Sequence, residues 1–253
     1  MMASIKSEFR KLTSIRSTYF ISGLALLIVM FYSFYIEGIR VNAQSLADPS
    51  RLASEPLSAI AFVSILIALV GLLLLTHEYR YNTIMYTLTA SKSRTRILLA
   101  KIMVISGYAL VMSLLVGILA PTMAYLGAHA SGHVLVHQVF PIWSLLWRTT
   151  LYGWGYAMAA LLFAALIRSQ VGAIIALFVL PGTAETLVGL LLKNNTVYLP
   201  FTALSQVIAV MGAKQGPIKT GHLSPSKGAF VFCTYLIIGW LVAWALFLRR
   251  DAN

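Results

Sequence analysis

Charged residues are so sparse in this chain that they divide it into apolar runs, each long enough to cross a bilayer. Six stretches carry no charge, or only one: 17–36, 57–76, 102–128, 149–167, 169–192 and 228–248. Glu185 is the single interruption, in the fifth. About 20 apolar residues of helix span the hydrocarbon layer. In that layer an unpaired amide has no water to turn to, so a span closes its own backbone hydrogen bonds as helix. The pattern predicts one all-α membrane domain over residues 1–253 with six transmembrane helices. A soluble enzyme is excluded by the same arithmetic. Charged residues make up 10% of the chain, against about 25% in ordinary soluble domains, and the mean hydropathy is +0.84.

The net charge of +12 and a pI near 10.0 would suggest nucleic acid in a polar chain. Beside long apolar runs, the natural partner of that charge is a lipid surface, and no nucleic acid is expected. The one cysteine, Cys233, makes an internal disulfide or a Cys-based zinc site impossible. Six spans place both termini on one side. With those termini cytoplasmic, 12 of the 19 Lys and Arg lie inside and 7 outside, which fits the positive-inside rule. The outer segment 193–227, with four lysines and no acid, violates it. The first run reads as a retained span, not a cleaved signal peptide, because Phe34-Tyr35-Ile36-Glu37 lacks small cleavage-site residues.

Ahead of that span, Ile5, Phe9, Leu12, Ile15 and Tyr19 recur at helical spacing, with Lys6, Arg10, Lys11 and Ser14 away from the stripe. This predicts an N-terminal interfacial helix, or a basic flank that orients the first span. Glu8 and Arg16 fall close to the stripe and fit it badly.

The second span runs into His77-Glu78-Tyr79-Arg80-Tyr81-Asn82-Thr83-Ile84-Met85-Tyr86-Thr87-Leu88-Thr89, and Ser93-Arg94 leads into the third. Asn82 tolerates a left-handed backbone and can end a helix. Thr83 can cap a short new one with Ile84 and Leu88 on one face. Ser93 can cap the next helix. Arg94 and Arg96 at a helix start oppose its dipole, which suits contacts with headgroups or a partner.

Here the chain resembles the permease subunits of bacterial ABC type-2 transporters. Those have Glu-Tyr/Phe-Arg-x-Gly-Thr after the second span, then Leu-Thr-x-x-x-Ser-Arg and Ala-Lys. The matching residues are Glu78, Tyr79, Arg80, Thr83, Leu88, Thr89, Ser93, Arg94, Ala100 and Lys101. Asn82 stands where Gly is usual, a mild departure because Asn also visits the left-handed region. Tyr198-Leu199-Pro200-Phe201 with Ala203, and Pro181 with Glu185, support the likeness.

The resemblance implies a cytoplasmic coupling helix between spans two and three that docks on a cytosolic ABC ATPase. Glu78, Tyr79 and Arg80 would end the second span and orient it. Thr83, Ile84, Leu88 and Thr89 would make the contact, bounded by Ser93 and Arg94. It also implies an exporter in the bacterial inner membrane, a second permease subunit (the same or paralogous), and re-entrant helices between spans five and six. ATP and Mg would sit on the partner ATPase, with no cofactor on this chain. The nearest echo of a phosphate loop, Gly216-Pro217-Ile218-Lys219-Thr220, has the wrong spacing, and Pro217 lacks an amide hydrogen.

Glu185 in a membrane span lines a substrate path, pairs with a polar group on another helix, or lies near the outer interface if the helix ends early. A stand-alone ion-coupled transporter or channel using Glu185 is the alternative function. A membrane-embedded enzyme would need a His-Glu-x-x-His or Gly-x-Ser-x-Gly constellation, and neither occurs. The outer lysines either meet outer headgroups or an anionic substrate, or are simply solvated. His129, His133 and His137 are four apart, but Gly132 interrupts their helix and no acid is near, so no metal is expected. Trp143, Trp147, Trp154 and Tyr152 read as interfacial anchors. Gly153, Gly155, Ala157 and Ala159 read as a small-residue packing face.

Overall fold

The computed structural model describes residues 1–40, 56–81, 94–132, 142–209 and 223–249. Among them there is helix and no strand. The helices are α1 (Met2–Ser14), α2 (Arg16–Tyr32), α3 (Pro56–Arg80), α4 (Arg94–Ala130), α5 (Ile142–Ile167), α6 (Gln170–Val179), α7 (Glu185–Leu192), α8 (Pro200–Ile208) and α9 (Pro225–Arg249). Among the described residues six helical segments are long and apolar enough to span: Arg16–Ile36, Ala59–Arg80, Thr95–Ala130, Trp143–Ile167, Gln170–Leu192 and Pro225–Phe247.

These spans overrun the charge-free stretches. α3 continues past Thr76 through Glu78 to Arg80, α4 begins well before 102 with Lys101 inside it, and α5 begins before 149 with Arg148 inside it. A charge ends an apolar run in the sequence, but it does not end a helix when it is paired, as Glu78 and Lys101 are.

Two spans change pitch. α2 passes into a π-helical turn at Ser33–Ile39. The fifth span is α6, a π turn at Leu180–Ala184, and α7. Pro181 has no amide hydrogen to donate to the preceding turn, so the ladder slips and the Glu185 amide bonds to the Leu180 carbonyl. Between α5 and α6 the chain turns in two residues. Arg168 takes a left-handed φ of 56°, and the Ser169 side chain accepts from the Gly172 amide at 3.4 Å to cap α6.

α3 and α5 form the interior. In each of their spans 67% of the most apolar stretch is buried, against 17% in the first and fifth and 22% in the sixth. Ile60, Val63, Ile67, Leu72 and Leu75 of α3 are fully enclosed. Large apolar side chains such as Phe20, Phe31, Leu191 and Phe230 cover the perimeter instead. An apolar exterior of this extent belongs in lipid, where close backbone approach, not hydrophobicity, drives helix packing.

The glycines mark those approaches. Gly153 faces the Ser113 side chain of α4. A Cβ on Gly155 would lie 2.8 Å from Phe232 of α9 and 3.1 Å from Leu204 of α8. Two residues apart is about 200° around a helix, so these positions serve opposite sides of α5, not one face. Gly38 and Gly127 meet directly, a Cβ on Gly38 coming 2.6 Å from the Gly127 Cα. Two expected interfacial anchors are instead packed against their neighbours, Tyr152 buried and Trp154 half-buried. The Tyr152 ring lies 5.0 Å from that of Tyr156, while Trp154 donates to the Ser106 hydroxyl at 2.8 Å. Trp143 and Trp147 are exposed.

The N-terminal stripe is also redrawn. Ile15 is extended (φ −82°, ψ 116°), so α1 ends before it and Tyr19 lies on a different helix. The buried residues of α1 are Glu8 and Leu12, and Phe9 is exposed. A hydrophobic pattern cannot register a carboxylate that buries itself by pairing.

Gly127→Ala drives a methyl into the Phe34 carbonyl, and overpacking of this kind costs about 1–3 kcal/mol. Gly23 has open space around it. Gly127→Ala should therefore lower the melting temperature of the detergent-solubilised chain, while Gly23→Ala leaves it equal or higher. Equal melting temperatures for the two variants would contradict the close approach of the π turn Ser33–Ile39 to α4.

Candidate functional site

At one end of the bundle four charges close on one another. Lys101 of α4 donates to Glu8 Oε2 of α1 at 2.6 Å and to Glu78 Oε1 of α3 at 2.7 Å. Lys11 of α1 donates to Glu8 Oε1 and to the same Glu78 oxygen, both at 2.7 Å. Lys101 is 1% exposed, Glu8 2% and Glu78 6%. Two carboxylates and two ammoniums sum to zero, and only that balance makes such burial tolerable. The Lys11 side chain alone reaches solvent. Burial by itself would lower its pKa, but the hydrogen bonds and charges of Glu78 and Glu8 outweigh burial and hold it above its ordinary 10.5.

The knot uses three chain segments that the helices bring together. Glu8 and Lys11 are one turn apart and lie side by side on α1. Glu78 is in the last turn of α3, and Lys101 is two turns into α4. Of these four, the sequence pattern marked Glu78 alone as functional and counted Lys101 only within the motif. Glu8 had shown itself as a misfit in an apolar stripe, and Lys101 as a charge at the edge of an apolar run. Both signals were present but unpaired.

The residues after Glu78 go elsewhere. Tyr79 is half-buried beneath Arg168, whose guanidinium lies 6.0 Å from its ring. Arg80 is exposed, donates to Gln170 at the start of α6 at 3.3 Å, and lies 5.6 Å from the Tyr81 ring. Three consecutive side chains thus tie the end of α3 to α1 and α4, to the α5–α6 turn, and to α6. Arg94 opens α4. Thr83, Ile84, Leu88, Thr89 and Ser93 lie outside the described residues, as do Asn82, the phosphate-loop echo at 216–220, Lys214 and Lys219.

Glu185 is at the opposite shoulder of the fifth span, 8% exposed. Its carboxylate accepts from the Phe201 amide at 2.7 Å, the Thr202 amide at 2.6 Å and the Thr202 hydroxyl at 2.8 Å. These amides open α8, whose own preceding residue, Leu199, has no side chain that can cap it. The chain after α7 folds back along it. Thr196 donates to the Gly189 carbonyl at 3.3 Å, and the Phe201 ring lies 5.4 Å from Tyr156 and 6.3 Å from Phe232. α8 is thereby buried between α5 and α9, with Glu185 as its borrowed cap. Of the three spaced histidines only His129 is described, and it is exposed. Among the described residues no group of three His, Cys, Asp or Glu is placed to hold a metal.

Two comparisons with known proteins bear on this arrangement. The family model described as ABC-2 family transporter protein matches residues 4–184, from α1 into the fifth span. A search of curated proteins finds no match.

Removing one partner of a buried ion group costs about 3–5 kcal/mol, because a charge is left stranded. Lys101→Met should therefore destabilise the chain strongly. Adding Glu8→Gln rebalances the charge and should recover part of the loss, with a favourable coupling in the double-mutant cycle of melting temperatures. Strict additivity would contradict the knot. Lys11, its pKa raised on folding, stabilises fully below its unfolded value of about 10.5 and loses that contribution as pH rises through the folded value. The difference in melting temperature between the native chain and Lys11→Met should be flat from neutral to mildly alkaline pH and vanish only above pH 10.5. A difference already lost at pH 9 would refute the assignment.

Proposed function

Because this chain belongs to the ABC-2 family of transporter proteins, it is a membrane permease of an ABC transporter, and we propose that it is the permease half of an exporter whose power stroke enters through residues 78–94. Two such permeases, identical or paralogous, pair with two cytosolic ATPase subunits that carry the ATP and Mg. The end of the bundle bearing the knot faces the cytoplasm, as its basic flanks Lys6, Arg10, Arg80 and Arg96 favour. Both termini are then cytoplasmic, and the membrane is the bacterial inner membrane.

One observation carries the coupling reading. The Glu78–Lys101 bridge brackets the segment that leaves α3 and returns as α4. A force applied between those two residues cannot part the helices without separating a buried ion pair. The segment therefore moves α3 and α4 as one body, and Lys11 and Glu8 add α1 to it. Tyr79 and Arg80 extend the linkage to the α5–α6 turn and to α6. A push at the cytosolic loop thus reaches the spans that flank the path in a single step, as alternating access requires. Glu185, with its carboxylate engaged by three donors, supports the wall of that path by holding α8 in place.

Gentle-detergent purification of the tagged chain from its native membrane, with mass spectrometry of what accompanies it, tests this reading. A stoichiometric ABC ATPase should copurify. Replacing Thr83 to Thr89 should release it while the permease keeps its melting temperature. A chain that purifies without any ATPase and moves solute in liposomes without ATP would overturn the proposal.

A further inference from the structure

The perimeter of the bundle carries a second built feature. α4 and α9 meet only sparingly, and between them lies a groove of about 410 Å³ floored by α5. Leu98, Met158 and Leu236 are buried at its base. Trp154, Trp240 and Trp244, with exposed aliphatic neighbours, form its sides. The volume is within the range of small-molecule sites, about 300–1,000 Å³. The lining offers almost nothing to a polar ligand. The Trp154 indole N–H is already given to Ser106. A lining so nearly apolar suits hydrocarbon.

One end of the groove is different. It closes at Thr95, in the first turn of α4, and the next residue, Arg96, is exposed. Arg96 lies one turn before Leu99, a groove-lining residue, and so flanks the mouth. A cation in the first turn of a helix opposes the helix dipole. An anion bound there turns that penalty into an attraction.

Hydrocarbon along the groove and a negative charge at its mouth together describe one molecule. We propose that the groove holds an acyl chain of an anionic phospholipid, its headgroup against Arg96. The site is on the outside of the subunit, apart from both the knot and Glu185. It is independent of the transported substrate and of the export reading.

The full-length chain carrying Trp143→Phe and Trp147→Phe reports on this site, since its remaining emission comes from Trp154, Trp240 and Trp244. It is reconstituted in phosphatidylcholine vesicles containing a small fraction of brominated phosphatidylglycerol or brominated phosphatidylcholine. The anionic lipid should quench with about fivefold preference, as expected for one basic contact at a membrane surface. Arg96→Gln should abolish the preference. Leu99→Phe, which narrows the groove from an exposed wall, should weaken quenching by both lipids. Equal quenching by the two lipids in the unsubstituted groove would overturn the proposal. So would a preference that survives both substitutions, since that is the signature of a diffuse anionic annulus around a basic protein.

Discussion

The structure depends on a constraint that admits no compromise in a low-dielectric setting: a charge taken out of water must be neutralised where it stands. Glu8, Lys11, Glu78 and Lys101 meet it by mutual contact, each pair within 2.7 Å. The geometry of three helices follows. α1 must lie across the ends of α3 and α4 to deliver Glu8, and the break at Ile15 is what lets it turn there before α2 begins. The ion group is a poor source of net stability, because desolvation offsets attraction. Its strength is specificity, since any other arrangement of α1 strands a charge.

Backbone groups obey the same rule. Pro181 removes one hydrogen bond from the fifth span, and the π turn after it restores the ladder at a new register. That slip precedes Glu185 directly, and α8 begins where its carboxylate can reach two free amides. Proline, pitch change, acid and short helix form one device for folding the chain back into the bundle. The acid's position in an apolar run is then a matter of architecture, satisfied by N–H groups from a segment 16 residues away.

Much of this was legible in the sequence. Six helices follow from run lengths, since lipid leaves a long apolar segment no other way to satisfy its amides. The bracket at the third span was legible in kind, because Glu78-Tyr79-Arg80 and Lys101 stood in a recognisable order. The partners were not. Glu8 and Lys101 are 93 residues apart, and no local pattern connects them. The run-counting rule failed at Lys101 and Arg148 because it assigns each charge to water, and acids from other helices for Lys101, or the neighbouring Trp147 ring for Arg148, change that assignment. Tyr152 and Trp154 misled in the opposite direction. Their polar edges suggest an interface, but Tyr152 is buried against Tyr156, and Trp154 is half-buried with its N–H given to Ser106. Gly153 and Gly155 looked like one face only because composition was read without the helical angle between them.

The knot also orders events during biosynthesis. A ribosome delivers the chain from residue 1, so Glu8, Lys11 and Glu78 exist before Lys101 does. Until then the three sum to −1, and one carboxylate has no counter-ion beyond water and passing cations. The N-terminal helix can lie in the interface but has nothing to lock onto. Arrival of the third span supplies the missing ammonium, and the four side chains close into a neutral group while α5 to α9 are still unmade. A chain that stops before that point carries an acid without its partner, and a chain past it does not. The same four side chains that bind the finished helices together thus report, during synthesis, whether assembly has reached its third span.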